Sequence, residues 1–184
     1  MISKIIPLVW GTHIWNQIKY ANPGNTDHIL TEVDSTRSIT RIGIMKFDAR
    51  ADTVALNRIS EVKLWVNVSS GNGVENRIYI SLRDVIANCS WNWFNVPSQY
   101  SWYAPGASGT GDKSGTAMGA RSLLPGKKAI SISPADYVAW RTGSVPLILY
   151  PKSDSTGTTT ITLSSNAPYL EVLYRPATSG IIMF

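Results

Sequence analysis

The stretch Ile59-Ser60-Glu61-Val62-Lys63-Leu64-Trp65-Val66-Asn67-Val68 decides the fold class. Its residues alternate, with Ser60, Val62, Leu64, Val66 and Val68 on one side and Ile59, Glu61, Lys63, Trp65 and Asn67 on the other. A backbone that sends successive side chains to opposite faces is a β-strand, and an apolar set on one face makes it half-buried. Leu64, Val66 and Val68 are expected to point inward. Ser69-Ser70-Gly71-Asn72-Gly73 follows and supplies residues that tolerate positive φ, so Arg77 to Leu82 is expected to return as the hairpin partner.

Outward from this segment the same texture continues. On the N-terminal side, His13 to Tyr20 alternates with Ile14, Ile18 and Tyr20 on one face, a turn follows at Asn22-Pro23-Gly24-Asn25, and His28 to Val33 is a second run. In Thr40 to Phe47, Ile42 and Ile44 share a face with Lys46, while Met45 and Phe47 share the other with Arg41 and Gly43, so which face is the core stays open. On the C-terminal side Ala129 to Ile132, Val145 to Tyr150, Thr158 to Leu163 and Tyr169 to Tyr174 are further strands. Pro134 to Trp140 has Pro at its start and Gly143 just past its end, the signature of a short helix. Residues 83–128 hold Pro97, Pro105, Pro125, six glycines and the aromatics Trp91, Trp93, Phe94, Tyr100, Trp102 and Tyr103, and read as one long, aromatic-rich connection. Eight or more half-polar strands need a facing sheet, so the expected fold is all-β: a two-sheet antiparallel β-sandwich, jelly-roll-like, with one short helix.

Composition agrees and narrows the function. With 184 residues, 43% apolar, 16% charged and 24 residues that are Gly or Pro, the chain suits one β-rich domain and neither a disordered chain nor a helical bundle. The net charge of +5 is spread singly along the sequence, with no block longer than Lys127-Lys128, so nucleic acid is not an expected partner, and no membrane is expected as one either. No run of 18 apolar residues exists, and the N-terminus lacks the small-residue cleavage site of a signal peptide. The chain reads as leaderless and made in a cytoplasm. Cys89 is the single cysteine, which excludes an intramolecular disulfide and a multi-thiolate metal site.

Chemistry is sparse. His13 and His28 stand on strands without an acid or thiol nearby in sequence and read as structural. No nucleophile elbow, phosphate-binding loop or His-Glu-x-x-His motif occurs. Asp112, at the end of the Gly-rich run Gly106-Ala107-Ser108-Gly109-Thr110-Gly111-Asp112-Lys113, is one carboxylate where Ca²⁺ needs several oxygen ligands. We therefore expect no enzyme, no cofactor and no metal site. The aromatics of the connection admit two roles: anchors that pin it to the sandwich, or a platform for the C–H faces of sugar rings. The apolar residues Ile5, Ile6, Leu8 and Trp10 near the N-terminus, and Ile181, Ile182, Met183 and Phe184 at the C-terminus, are candidates for docking or self-association.

Several segments in fixed order carry a family resemblance. Arg41-Ile42-Gly43-Ile44-Met45-Lys46-Phe47-Asp48 is followed by Val62-Lys63-Leu64-Trp65-Val66, Ser90-Trp91-Asn92-Trp93, Trp102-Tyr103-Ala104-Pro105-Gly106-Ala107, Gly111-Asp112, Val138-Ala139-Trp140 and Pro168-Tyr169-Leu170-Glu171-Val172-Leu173-Tyr174. Over roughly residues 13 to 175 this resembles the DNRLRE-type domain, with Lys46 in place of the usual Arg, Ser90 in place of Thr, and no acidic calcium cluster. The resemblance implies a β-sandwich similar to carbohydrate-binding modules of secreted bacterial proteins and to domains on bacteriophage virions, and it implies no catalysis. It also places Trp91 and Trp102 at fixed motif positions, as structural anchors, and leaves Trp93 and Tyr103 as the possible sugar platform.

The expected organisation is an N-terminal extension over 1–12, the sandwich over 13–175 and a tail over 176–184. A leaderless copy with such termini points to a virion structural protein: a capsid decoration (cement) protein or a short head or tail appendage, acting by adhesion. Its expected partner is the major capsid protein or another virion protein. Homo-oligomers are expected too, a trimer being favoured by analogy with other decoration proteins. The alternative is a carbohydrate-binding module that uses the Trp/Tyr-rich loop.

Overall fold

The computed structural model of the chain describes residues 1–17, 27–34, 36–87, 89–95, 98, 100–143, 145–152, 156–164 and 167–177. Among them lie strands β1 (Ile2–Trp15), β2 (His28–Asp34), β3 (Ile39–Phe47), β4 (Ile59–Gly71), β5 (Glu75–Ile80), β6 (Trp93–Asn95), β7 (Tyr100–Ser101), β8 (Gly119–Ser122), β9 (Gly126–Ile132), β10 (Leu147–Pro151), β11 (Gly157–Thr162) and β12 (Tyr169–Tyr174). One α-helix, α1 (Pro134–Arg141), precedes β10. The fold is all-β and sandwich-like, and the strand pairings are antiparallel.

Ten strands form one hydrogen-bonded system, and β6 and β7 form a separate hairpin. One layer contains the first half of β1, then β12, β4 and β9; the other contains the second half of β1, then β3, β10, β5 and β8. β1 belongs to both: Ile2 to Pro7 pair with β12 and Leu8 to Trp15 with β3, and a register shift between Leu8 and Trp10 follows directly after the change of partner. A bulge of this kind is how a strand bends from one sheet into the other. On the far side β11 and β2 join β4 to β3.

The alternation of β4 is realised: Val62, Leu64, Val66 and Val68 are buried in the main core. There they meet Leu170 and Val172 of β12, Ile130 of β9, and Met45, Phe47, Leu147 and Leu149 of the opposing layer. The helix sits at one end of this core, with Tyr137 and Trp140 buried and the Trp140 indole N–H donating to the Val145 carbonyl at 2.8 Å. A buried carboxylate holds it in place. Asp52 accepts from Tyr137 Oη at 2.6 Å, from Arg141 at 3.2 Å and from Lys4 at 3.3 Å, tying α1 and β1 to the loop after β3.

The structure departs from the sequence reading at residues 1–12 and in the pairing of β4 and β5, and it settles the core face of β3, which the sequence left open. Residues 1–12 are not an extension outside the sandwich, because Ile2 begins a sheet strand and Ile6 lies in the main core. β4 and β5 are not a hairpin pair: β4 is flanked by β12, β9 and β11, whereas β5 crosses to the other layer between β10 and β8. The turn chemistry was real, since Gly73 has φ of +83°, but a chain reversal does not dictate which strand accepts the hydrogen bonds. Finally, β3 has no single core face. Met45 and Phe47 enter the main core, while Ile42 and Ile44 enter a second apolar cluster on the opposite side.

Candidate functional site

That second cluster is made by the long connection, which folds over the outer face of β1, β3 and β10. Val85, Cys89, Trp102 and Ala107 descend onto Ile14, Ile42, Ile44 and Ile148, with Trp10, Tyr79, Trp91, Phe94 and Tyr150 around the rim. Trp102 is 5% exposed, donates its indole N–H to the Ser90 carbonyl at 2.8 Å, and meets Phe94 edge to face at 5.8 Å. Trp91 is half-buried, and its ring lies so close to Gly106 that a Cβ there would collide with it. Gly106 also needs its positive φ of 72°, which a side chain disfavours. Trp93 is half-buried on β6, while Tyr103 is 72% exposed.

Asp112 organises this layer, a role missed when it was weighed only as a metal ligand and set aside. It is fully buried; its Oδ1 accepts from the Tyr103 N–H (2.6 Å) and Arg83 Nε (3.2 Å), and its Oδ2 from the Ala104 N–H (2.8 Å) and Gly109 N–H (3.2 Å). A loop without regular structure must satisfy its buried backbone donors somewhere, and here one carboxylate takes three of them. The sequence clue was a lone acid closing a Gly-rich run.

Of the proposed N-terminal docking residues only Ile5 faces solvent, at 51% exposure. Ile6 is core, Leu8 packs against the main core and Trp10 against the second cluster. Strand alternation and the bulge explain this: Ile5, Pro7 and Val9 point out while Ile6 points in. Val9 is 59% exposed, and Met1 and Ile2 add to the same exposed N-terminal segment. Ile181, Ile182, Met183 and Phe184 lie outside the described residues.

On the outer face of the β1–β12–β4–β9 layer the structure assembles an aromatic pair that the sequence did not reveal. Register places Tyr169 beside Trp65 and Glu171 beside Lys63. The two rings stack with centroids 6.3 Å apart at 25°, and Lys127 Nζ lies 4.9 Å from the Trp65 ring and 5.3 Å from Tyr169. The Trp65 indole N–H donates to Glu171 Oε2 at 2.8 Å and holds that carboxyl below its usual range, helped by the Ser3 hydroxyl at 3.0 Å. Asn67, Ala167 and the rings border a shallow cavity of about 170 Å³.

Titratable groups elsewhere serve the fold. Burial pushes the Cys89 thiol up to about 12. His13 stacks on His28 at 5.9 Å, and burial, with the charges of His28 and Arg41, brings it down to about 4. Among the described residues no three His, Cys, Asp or Glu side chains gather as a metal site, and no helix is long and apolar enough to cross a membrane. No family model matches the chain, and neither does any curated protein.

Proposed function

We propose that this chain is a non-catalytic structural protein of a bacteriophage virion that docks by the outward face of β1, as a capsid decoration protein or a head or tail appendage. The observation that carries the reading is the exposed apolar pair Ile5 and Val9 on the outward side of β1, with Met1 and Ile2 exposed where the strand begins. Apolar side chains held outward on a rigid strand gain by burial against another surface and mark an interface. The occupant is the major capsid protein, with a second copy of the chain as the neighbour in an oligomer. The virion setting rests on the resemblance to DNRLRE-type domains, which is also a resemblance to domains on bacteriophage virions. The test is a mass-spectrometric inventory of purified particles carrying either the wild type or the doubly substituted Ile5→Glu, Val9→Glu protein. The substituted protein is expected to stay folded and to lose occupancy. Absence of the wild-type chain from particles, or full occupancy by the variant, sinks the reading.

One observation favours a second reading, a carbohydrate-binding module. Trp65 and Tyr169 form a flat ring pair on an open sheet face, bordered by Lys127, Asn67 and Glu171, the mix of apolar surface and hydrogen-bonding groups that a sugar ring requires. On this reading the platform is Trp65 and Tyr169, on the layer opposite to Trp93 and Tyr103. Replacing Trp65 by Ala would abolish glycan binding on this reading, and glycan retention by that variant would exclude it.

A further inference from the structure

The outer face of the β1–β12–β4–β9 layer carries an apolar row that runs across strands. Register sets Pro7 beside Tyr169 and Tyr169 beside Trp65; in the next row toward the end of β12 it sets Ile5 beside Glu171 and Glu171 beside Lys63. Ser3, Leu173 and Glu61 make the row after that. Pro7 is exposed, Ile5 is 51% exposed, and Leu173, Tyr169 and Trp65 are half-buried. The charged groups in these rows are already matched. Glu171 accepts from the Ser3 hydroxyl on one oxygen and from the Trp65 indole N–H on the other, and Lys63 pairs with Glu61 at 2.8 Å. An apolar cover over this face would strand none of these three charges.

The chain leaves its last described strand at the edge of this same face. β12 ends at Tyr174, beside Ile2 of β1 and Ile59 of β4, and the Arg175 N–H then donates to the Arg58 carbonyl at 2.9 Å. Ala177 is the last described residue. From Tyr174 to Ala177 an extended chain moves ~10 Å away from the Tyr169 row, and the stretch from Ala177 to Phe184 spans at most ~23 Å. A reversal after Ala177 therefore brings Ile181 back level with Leu173. It brings Phe184 to ~13 Å above Tyr174, within a side chain's length of the Tyr169 and Trp65 rings, which stand ~17 Å along the strand. Thr178, Ser179 and Gly180 are small and uncharged, and Ile181, Ile182, Met183 and Phe184 are apolar without exception, so the residues that can reach the face also match it.

We propose that Ile181 to Phe184 fold back over the outer face of β12 in the same chain and cover Ile5, Leu173, Tyr169 and Trp65. A tether of this length holds the segment at a millimolar local concentration, which favours its own face over that of a second copy. The contact is a property of the free chain and does not depend on the virion reading. Where that reading holds, Ile5 is shared, and the particle takes the place of the segment there. A face occupied in this way is closed to a sugar, so the inference runs against the carbohydrate-binding reading.

The test compares the ¹⁵N-labelled full chain with its Ile181→Ser, Ile182→Ser, Met183→Ser, Phe184→Ser variant, in which every described residue is unchanged. A soluble gadolinium chelate broadens the signals of N–H groups that lie close to solvent. In the wild type the Trp65 indole N–H and the amides of Ile5, Glu171 and Tyr169 are expected to broaden less than in the variant and to resonate at different shifts. The amides of β5 and β10, on the opposite layer, are expected to coincide in the two proteins. The differences should persist on dilution, as a contact within one chain requires. Coincident shifts and equal broadening on the β12 face overturn the proposal. Differences that vanish on dilution, with a larger species in sedimentation velocity at high concentration, also overturn it, because the occupant is then the tail of a second copy.

Discussion

Replacing Asp112 by Asn tests whether one carboxylate holds the long connection on the sheet. The substitution is nearly isosteric, but Asp112 uses both oxygens as acceptors, Oδ1 for one backbone N–H and Arg83 and Oδ2 for two backbone N–H groups. An asparagine has a single oxygen, so its NH₂ must face at least one of those N–H groups, donor against donor, and the Arg83 charge loses its partner. A buried donor left unsatisfied costs ~1–3 kcal/mol, and Arg83 is partly exposed and regains water, so a total near 3 kcal/mol is expected. The loss falls on the connection rather than on the main core, because every one of these bonds lies within residues 83–112. Cys89 reports on that layer: it is the only cysteine, has no solvent exposure, and sits beneath the connection with Trp102. Its modification by a thiol reagent under native conditions requires the layer to open, so about 3 kcal/mol translates into ~100-fold faster labelling. The urea midpoint of the sandwich, followed by far-UV circular dichroism, should move much less. Asp112→Ala, which admits water without adding a wrong-way donor, should label no faster than Asp112→Asn. Wild-type labelling rates in a folded Asp112→Asn protein would refute the reasoning. So would labelling that accelerates only as the whole domain unfolds.

Trp102→Ala removes a buried indole and its bond to Ser90, and should destabilise the protein by ~3–5 kcal/mol in urea titrations. His13 supplies a pH signature: between pH 6.5 and about 4 the unfolded chain takes up a proton that the folded state refuses. Stability should therefore fall as pH drops through that window, by ~3 kcal/mol in all, and level off below it. His13→Gln should flatten this slope in Tm against pH. Tyr137→Phe deletes the 2.6 Å bond to Asp52 and should cost ~1.5–3 kcal/mol at neutral pH. Burial alone would raise Asp52, but the bonds from Tyr137 and Lys4, with the charges of Lys4 and Arg141, outweigh it and lower it below the usual carboxylate value. That contribution is complete above the unfolded carboxylate range and is lost as pH falls through the folded value, so the cost of Tyr137→Phe should shrink in acid.

Whatever depends on neighbours along the chain is legible in the order of residues alone. The alternation in Ile59 to Val68 selects a strand and its inward face because side-chain direction in extended backbone is a local property. Pro134 and Gly143 bracket the helix for the same reason, fixed φ at one end and freedom past the other. The aromatic-rich texture of residues 83–128 announced a connection in need of packing. Tertiary structure alone decided which strand pairs with which: hydrogen-bond ladders are chemically alike, so Gly71 to Gly73 signals a turn without choosing a partner for β5. It decided that β3 is covered on both faces, since only a distant layer could bury Ile42 and Ile44. It made a residue expected to dock, Ile6, into core by recruiting the N-terminal segment as a strand. It also brought Trp65 beside Tyr169, and Lys113 over Tyr79 and Tyr150, because side chains remote in sequence meet only where the fold brings their backbones together.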